Sequence, residues 1–160
     1  MYTMTIPSSA RSCQQGVALL EALIAILIFS IGILSIVALQ AVSVNLSADA
    51  KYRSDASLLA NQLIGNMWVA DRTAATLRTN FSSAASGIAA GANYAAWQAN
   101  VANTLPGVSG VAATQPTVTI TPVTTTGGIS SMVTVTVFWK PPSEPAAIPA
   151  HQYLAIAQII

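Results

Sequence analysis

The chain has 160 residues, the size of one ordinary domain, and only 7% of them are charged, where a soluble globular domain carries roughly 25%. Hydrophobic residues reach 53% and mean hydropathy is +0.60. Six basic against five acidic side chains leave a formal charge of +1, which excludes the clustered cations of a nucleic-acid surface. One His and one Cys exclude a Cys/His zinc site, and a hydrolase would have to rely on His151 in a proline-dotted tail. With no phosphate-binding glycine loop and no acid pair for general acid–base work, no enzyme activity, cofactor or metal is expected. Membrane insertion or assembly into a larger body remains.

Residues 1–16 form a polar leader with one basic residue, Arg11. From Val17 to Leu39 the chain reads VALLEALIAILIFSIGILSIVAL, 23 residues with one charge, Glu21. As a helix this run is about 35 Å long, enough to cross a hydrocarbon core of about 30 Å. Ser30, Gly32 and Ser35 are small enough to admit a neighbouring helix. A cleaved secretory signal fits badly, because its apolar region is about 7–15 residues long and followed closely by a small-residue cleavage site. Here the run is longer and acidic, and the nearest Ala-x-Ala pattern, Ala48-Asp49-Ala50, starts nine residues past Leu39. Cys13 is no lipobox cysteine, since no apolar segment precedes it.

Glu21 carries the functional argument. An acid in a membrane helix costs about 2.5–3.5 kcal/mol at the centre and less near an interface, and it requires a partner. No basic residue stands within four positions. A cut between Gly16 and Val17 would create an α-ammonium group on Val17, one helical turn from Glu21 and on the same face. An acid in a first helical turn also suits the helix dipole.

Gly16 followed by this run resembles the class III signal of type IV prepilins and pseudopilins. The resemblance implies that a prepilin peptidase cuts after Gly16 and N-methylates Val17, and that Glu21 sets register in assembly. Val17 stands where Phe or Met is usual in that family, and Gln14-Gln15 where Lys or Arg often stands. Ala38 occupies the place of the helix-kinking proline of major pilins, which shifts the resemblance toward minor pilins. SIGILSIVALQ, KYRSDASLLANQLIGNMWVADR, AAWQANVANTLPG and VTVTVFWKPP are similar to minor pilins of the PilV type. That resemblance implies an inner-membrane, single-pass subunit of a Gram-negative bacterium that later enters a surface pilus. Its implied partners are the major pilin, other minor pilins and a tip adhesin, with a role in priming assembly at the tip. A type II secretion pseudopilin shares the N-terminal chemistry, and an unprocessed membrane-anchored binding module is the reading from another class.

Beyond Leu39 the helix is expected to continue without proline from Ser43 to about Thr79, a single rod from Val17 to about Arg72 spanning about 84 Å. Leu59, Leu63 and Met67 mark its apolar face, with Leu58, Ile64 and Trp68 beside them. Asp49, Lys51, Arg53, Asp55, Asp71, Arg72 and Arg78 read as a solvated face, with Lys51 and Asp55 at pairing distance. Ser82–Asn93 reads as a loop, and Tyr94–Leu105 as a short helix with Tyr94, Trp97 and Val101 inward, ended by Pro106-Gly107. Thr117–Thr121 and Ser131–Trp139 alternate as strands, joined through Gly127-Gly128 by a turn or by a wider loop over Thr124–Gly128. Pro141–Pro149 is a proline-dotted connection, in which His151 beyond it is read as a solvated side chain or simple hydrogen-bond donor. Ala150–Ile160 supplies the last strand, with Tyr153, Ala155, Ala157 and Ile159 on one face and Leu154, Ile156 and Gln158 on the other. The expected fold class is α+β and pilin-like: a long N-terminal helix on a small antiparallel sheet. Its parts are a removed leader (1–16), a transmembrane half-helix (17–39) and an external domain (40–160). Many pilins close a C-terminal loop with a disulfide; the only cysteine here is Cys13, so proline stiffness and packing must hold the Pro141–Pro149 loop.

Overall fold

A computed structural model of the chain describes residues 14–84, 89–125 and 128–160. It divides into two compact units, the second beginning at Asn45. A long helix α1 (Gln14–Val69) belongs to both, and the second unit adds α2 (Ala74–Phe81), α3 (Ala92–Thr104) and three strands, β1 (Thr117–Thr125), β2 (Gly128–Trp139) and β3 (His151–Ile159). This is the expected α+β plan.

In the first unit α1 has no tertiary core, and every side chain described from Gly16 to Val44 is exposed. The Ser30 hydroxyl donates to the Ile26 carbonyl at 2.7 Å and Ser35 to Ile31 at 2.9 Å. Both hydroxyls are therefore satisfied within the helix, as a low-dielectric surrounding requires.

In the second unit the remainder of α1 buries Ala56, Leu59, Ala60, Leu63 and Met67. These positions fall at i, i+3 and i+4 and make one stripe. Leu58 and Trp68 lie outside it, at 65% and 44% exposure. The two alanines complete the stripe, both fully buried. Opposite lie Val118 and Ile120 from β1, Val133, Val135, Val137 and Trp139 from β2, and Ile159 from β3. The sheet is antiparallel in the order β1-β2-β3, with Val118 opposite Val135, Ile120 opposite Val133 and Val137 opposite Tyr153. Residues that share a pair share a face, so this register puts the apolar sets of the three strands on one side. Pro122 is tolerated because β1 is an edge strand.

The long single helix forms, ending three residues short of Arg72. α1 stops at Val69 and a new helix starts after Thr73. Asp71 makes the break: one carboxylate oxygen accepts the Thr73 N–H at 3.0 Å, and the other accepts the Thr76 hydroxyl at 3.2 Å. This local alternative to the helical ladder is the usual competition between Asp and the backbone. α2 then buries Leu77 and Phe81.

α3 buries Tyr94, Trp97 and Val101, as its spacing predicts. The Tyr94 hydroxyl donates to the Pro116 carbonyl at 2.5 Å, and the Trp97 indole N–H to the Leu59 carbonyl at 2.9 Å. Burial pushes the Tyr94 phenol above its ordinary pKa. Gly91 precedes α3 because a Cβ there would lie 2.1 Å from the Asn80 carbonyl carbon. The β1–β2 connection is narrower than a loop over Thr124–Gly128: Thr124 pairs with Ile129 and Thr125 with Gly128. The turn expected at Gly127 falls outside the described residues, as do the leader through Cys13 and part of the Ser82–Asn93 loop.

Candidate functional site

Gly16, Val17 and Glu21 lie in the first two turns of α1. A Cβ built on Gly16 meets nothing within 4 Å, so the folded chain itself imposes no demand for glycine there. Val17 is 66% exposed, and its side chain shares a concave helix face with Leu20, Glu21, Ile24, Ala25 and Ile28. Val17 and Glu21 are thus brought onto one face, a turn apart. The Glu21 carboxylate makes no hydrogen bond or ion pair among the described residues, and it is the one charge between Val17 and Val44. Chemically, the arrangement offers an exposed peptide bond after a side-chain-free residue, and a carboxylate poised for a cation on the turn that precedes it.

Among the described residues one helix, Gly16–Val69, is long and apolar enough to cross a membrane. No group of three or more His, Cys, Asp or Glu side chains suited to a metal ion occurs among them.

A second polar constellation holds the Pro141–Pro149 loop. His151 is not a merely solvated side chain. Its ring stacks on Trp139, with centroids 5.6 Å apart, and its Nε2 lies 2.7 Å from Glu144 Oε1. The register that sets His151 opposite Trp139 in the β2–β3 pair creates the stack. Lys140 Nζ donates to the carbonyls of Ala146 at 3.0 Å and Ile148 at 2.7 Å. Its own backbone N–H donates to Pro106, beside Gly107, whose φ of +73° favours glycine. The loop is therefore tied by one cation and one His–Glu pair in addition to its prolines. Sequence reasoning passed over Lys140 and Glu144; the signal was an isolated cation and an isolated anion flanking Pro141-Pro142 in a chain with few charges. The predicted Lys51–Asp55 pair forms at 3.1 Å on the exposed side of α1.

Compared with known families, the chain matches the prokaryotic N-terminal methylation motif over residues 11–37. The matched span includes Gly16, Val17 and Glu21 and ends inside the apolar run. Such a motif indicates a type IV pilin-like or pseudopilin protein, a structural class anchored by its N-terminal helix, processed by a prepilin peptidase and assembled with other pilins. No curated protein and no solved structure matches the chain.

Proposed function

We propose that this chain is a minor pilin of a type IV pilus, of the PilV type, made as a prepilin and cut between Gly16 and Val17. The observation that carries the proposal is the coincidence of the methylation motif with Gly16, Glu21 four residues after Val17, and a stretch of exposed helix to Val44 that holds no other charge. Gly16 serves the peptidase: the fold places no contact against it, and an absent side chain lets another protein approach the peptide bond. Hydrolysis leaves an amine on Val17, which is methylated and remains a cation. Residues 1–16 are the leader, 17–39 the membrane half of the helix, and 40–160 the external domain.

In the membrane, Glu21 is destabilising until a cation faces it. The amine of Val17, from the same chain or a neighbour, supplies that cation, so an apolar helix that could slide along its neighbours acquires a preferred register. Ala38 supports the minor-subunit reading, since α1 is helical on both sides of it. In this reading the protein joins other minor pilins near the tip, primes assembly with the major pilin and supports a tip adhesin.

Intact mass and N-terminal sequencing of protein from native membranes test the proposal. A chain beginning at methylated Val17 is expected. A chain beginning at Met1 in a host with an active prepilin peptidase would refute it.

A further inference from the structure

Between α1 and α3 runs an open groove of about 470 Å³, lined by Gln62, Asn66, Asn93 and Asn100 at its rim and by Phe81 and Trp97 at its floor. We propose that this groove is a binding site for a neutral oligosaccharide. The inference is independent of the N-terminal processing reading, because every residue in it belongs to the second unit.

The chemistry of the lining selects the ligand class. None of its residues is charged, so it offers no opposite charge to a phosphate, a carboxylate or a cation. The four carboxamides make no hydrogen bond to any group among the described residues. Each holds an acceptor oxygen and an NH2 donor in one plane, the complement of neighbouring hydroxyls on a sugar ring. Gln62 and Asn66 stand one helical turn apart on α1, and Asn93 and Asn100 two turns apart on α3, about 10.5 Å along the axis. That spread suits a short chain of rings better than a single one. The volume falls in the range of about 300–1,000 Å³ found for small-molecule sites.

The floor is closed: Trp97 and Phe81 are only 4% and 2% exposed, and Val69 is the one large apolar side chain of the lining that is exposed. Trp97 is also fixed by its hydrogen bond to the Leu59 carbonyl, which makes the floor rigid before any ligand arrives. Small residues at Ala70 and Ala96 keep the groove open.

The test uses the full chain in lipid nanodiscs, with nitrogen-15 NMR of the side-chain amides. Cellotetraose, chitotetraose, maltotetraose and a galactose-containing tetrasaccharide are titrated to millimolar concentration, beside an uncharged Ala/Ser/Gly peptide. At least one tetrasaccharide is expected to shift the Gln62 and Asn100 amides saturably. The double variant Gln62→Ala/Asn100→Ala should weaken that binding by about tenfold or more, through the hydrogen bonds it removes. Its thermal midpoint should be unchanged, since both side chains are exposed and unbonded. Three results would overturn the proposal: no amide shift with any of the four sugars, sugar binding unaltered in the double variant, or shifts with the peptide alone.

Discussion

Replacing Gly91 with alanine should destabilise the second unit, although the backbone there, with φ −66° and ψ 151°, is open to any residue. On conformational grounds alone, Gly→Ala at such a position stabilises by about 0.4–1 kcal/mol, by restricting the unfolded chain. Space reverses the sign. The new Cβ would lie 2.1 Å from the Asn80 carbonyl carbon, 2.2 Å from its oxygen and 2.7 Å from the Phe81 nitrogen. All three are backbone atoms, so no rotamer change relieves the clash. Restoring an ordinary carbon contact requires the start of α3 to move from the end of α2 by about 1.3–1.5 Å. The hydrogen bond from Gly91 N–H to the Ser82 carbonyl, 3.1 Å long, would not survive that movement. Overpacking of about 1–3 kcal/mol and a lost hydrogen bond of about 1 kcal/mol, less the entropic gain, leave a net loss of about 2 kcal/mol. For a chain of this size the thermal midpoint falls by about 4–8 °C. Tryptophan fluorescence of the full chain in detergent reports it, because Trp97 and Trp139 are both buried in this unit. An unchanged or raised midpoint would show that the α2–α3 approach is softer than the geometry says.

Glu21→Gln should keep processing intact while reducing incorporation into filaments by about tenfold or more, as the loss of a charge pair in a low-dielectric surrounding predicts; equal amounts of variant and parent in sheared filaments would remove the register argument. Gly16→Glu should leave the full-length chain in the membrane, and mature-sized protein on an immunoblot would place the cut elsewhere. The Thr73 N–H, opposed by desolvation and joined by the Thr76 and Thr73 hydroxyls, holds the Asp71 carboxyl below its ordinary 3.8. A depressed carboxylate stabilises above its unfolded value and loses that contribution as pH falls through the folded one, so the Thr73 amide should titrate by NMR with a midpoint under 3.8 and stay flat above about pH 5. Lys140→Met should leave the core unchanged and raise hydrogen exchange at the Ile148 and Glu144 amides about fivefold, since two exposed charge-assisted bonds are lost; unaltered exchange would assign loop closure to the prolines alone.

The parts of the molecule legible in the sequence are those governed by a single period. The apolar run after Gly16, the Tyr94–Trp97–Val101 face and the alternation in β2 and β3 each repeat with helix or strand spacing, and each appears where the spacing puts it. The pattern misleads where one side chain overrides a period. Asp71 captures two groups of the next turn and ends α1, although the pattern around it would continue a helix. Leu58 and Trp68 are apolar yet exposed, because they fall outside the stripe that Ala56, Leu59, Ala60, Leu63 and Met67 bury. His151 looked isolated because its partners, Trp139 and Glu144, reach it only through strand pairing and a loop. At the candidate processing site the residues are legible in the sequence by their spacing alone, and the fold adds only their common face.

The ties that hold the Pro141–Pro149 loop have a consequence for where the protein can mature. A chain whose only cysteine is Cys13 forms no intramolecular disulfide, so closure of this loop waits on no oxidase, isomerase or thiol exchange. Lys140 and the His151–Glu144 pair close it as quickly as the strands find their register, and thermal motion can open and reclose it without cleaving a bond. The ties of this loop therefore form under reducing and oxidising conditions alike.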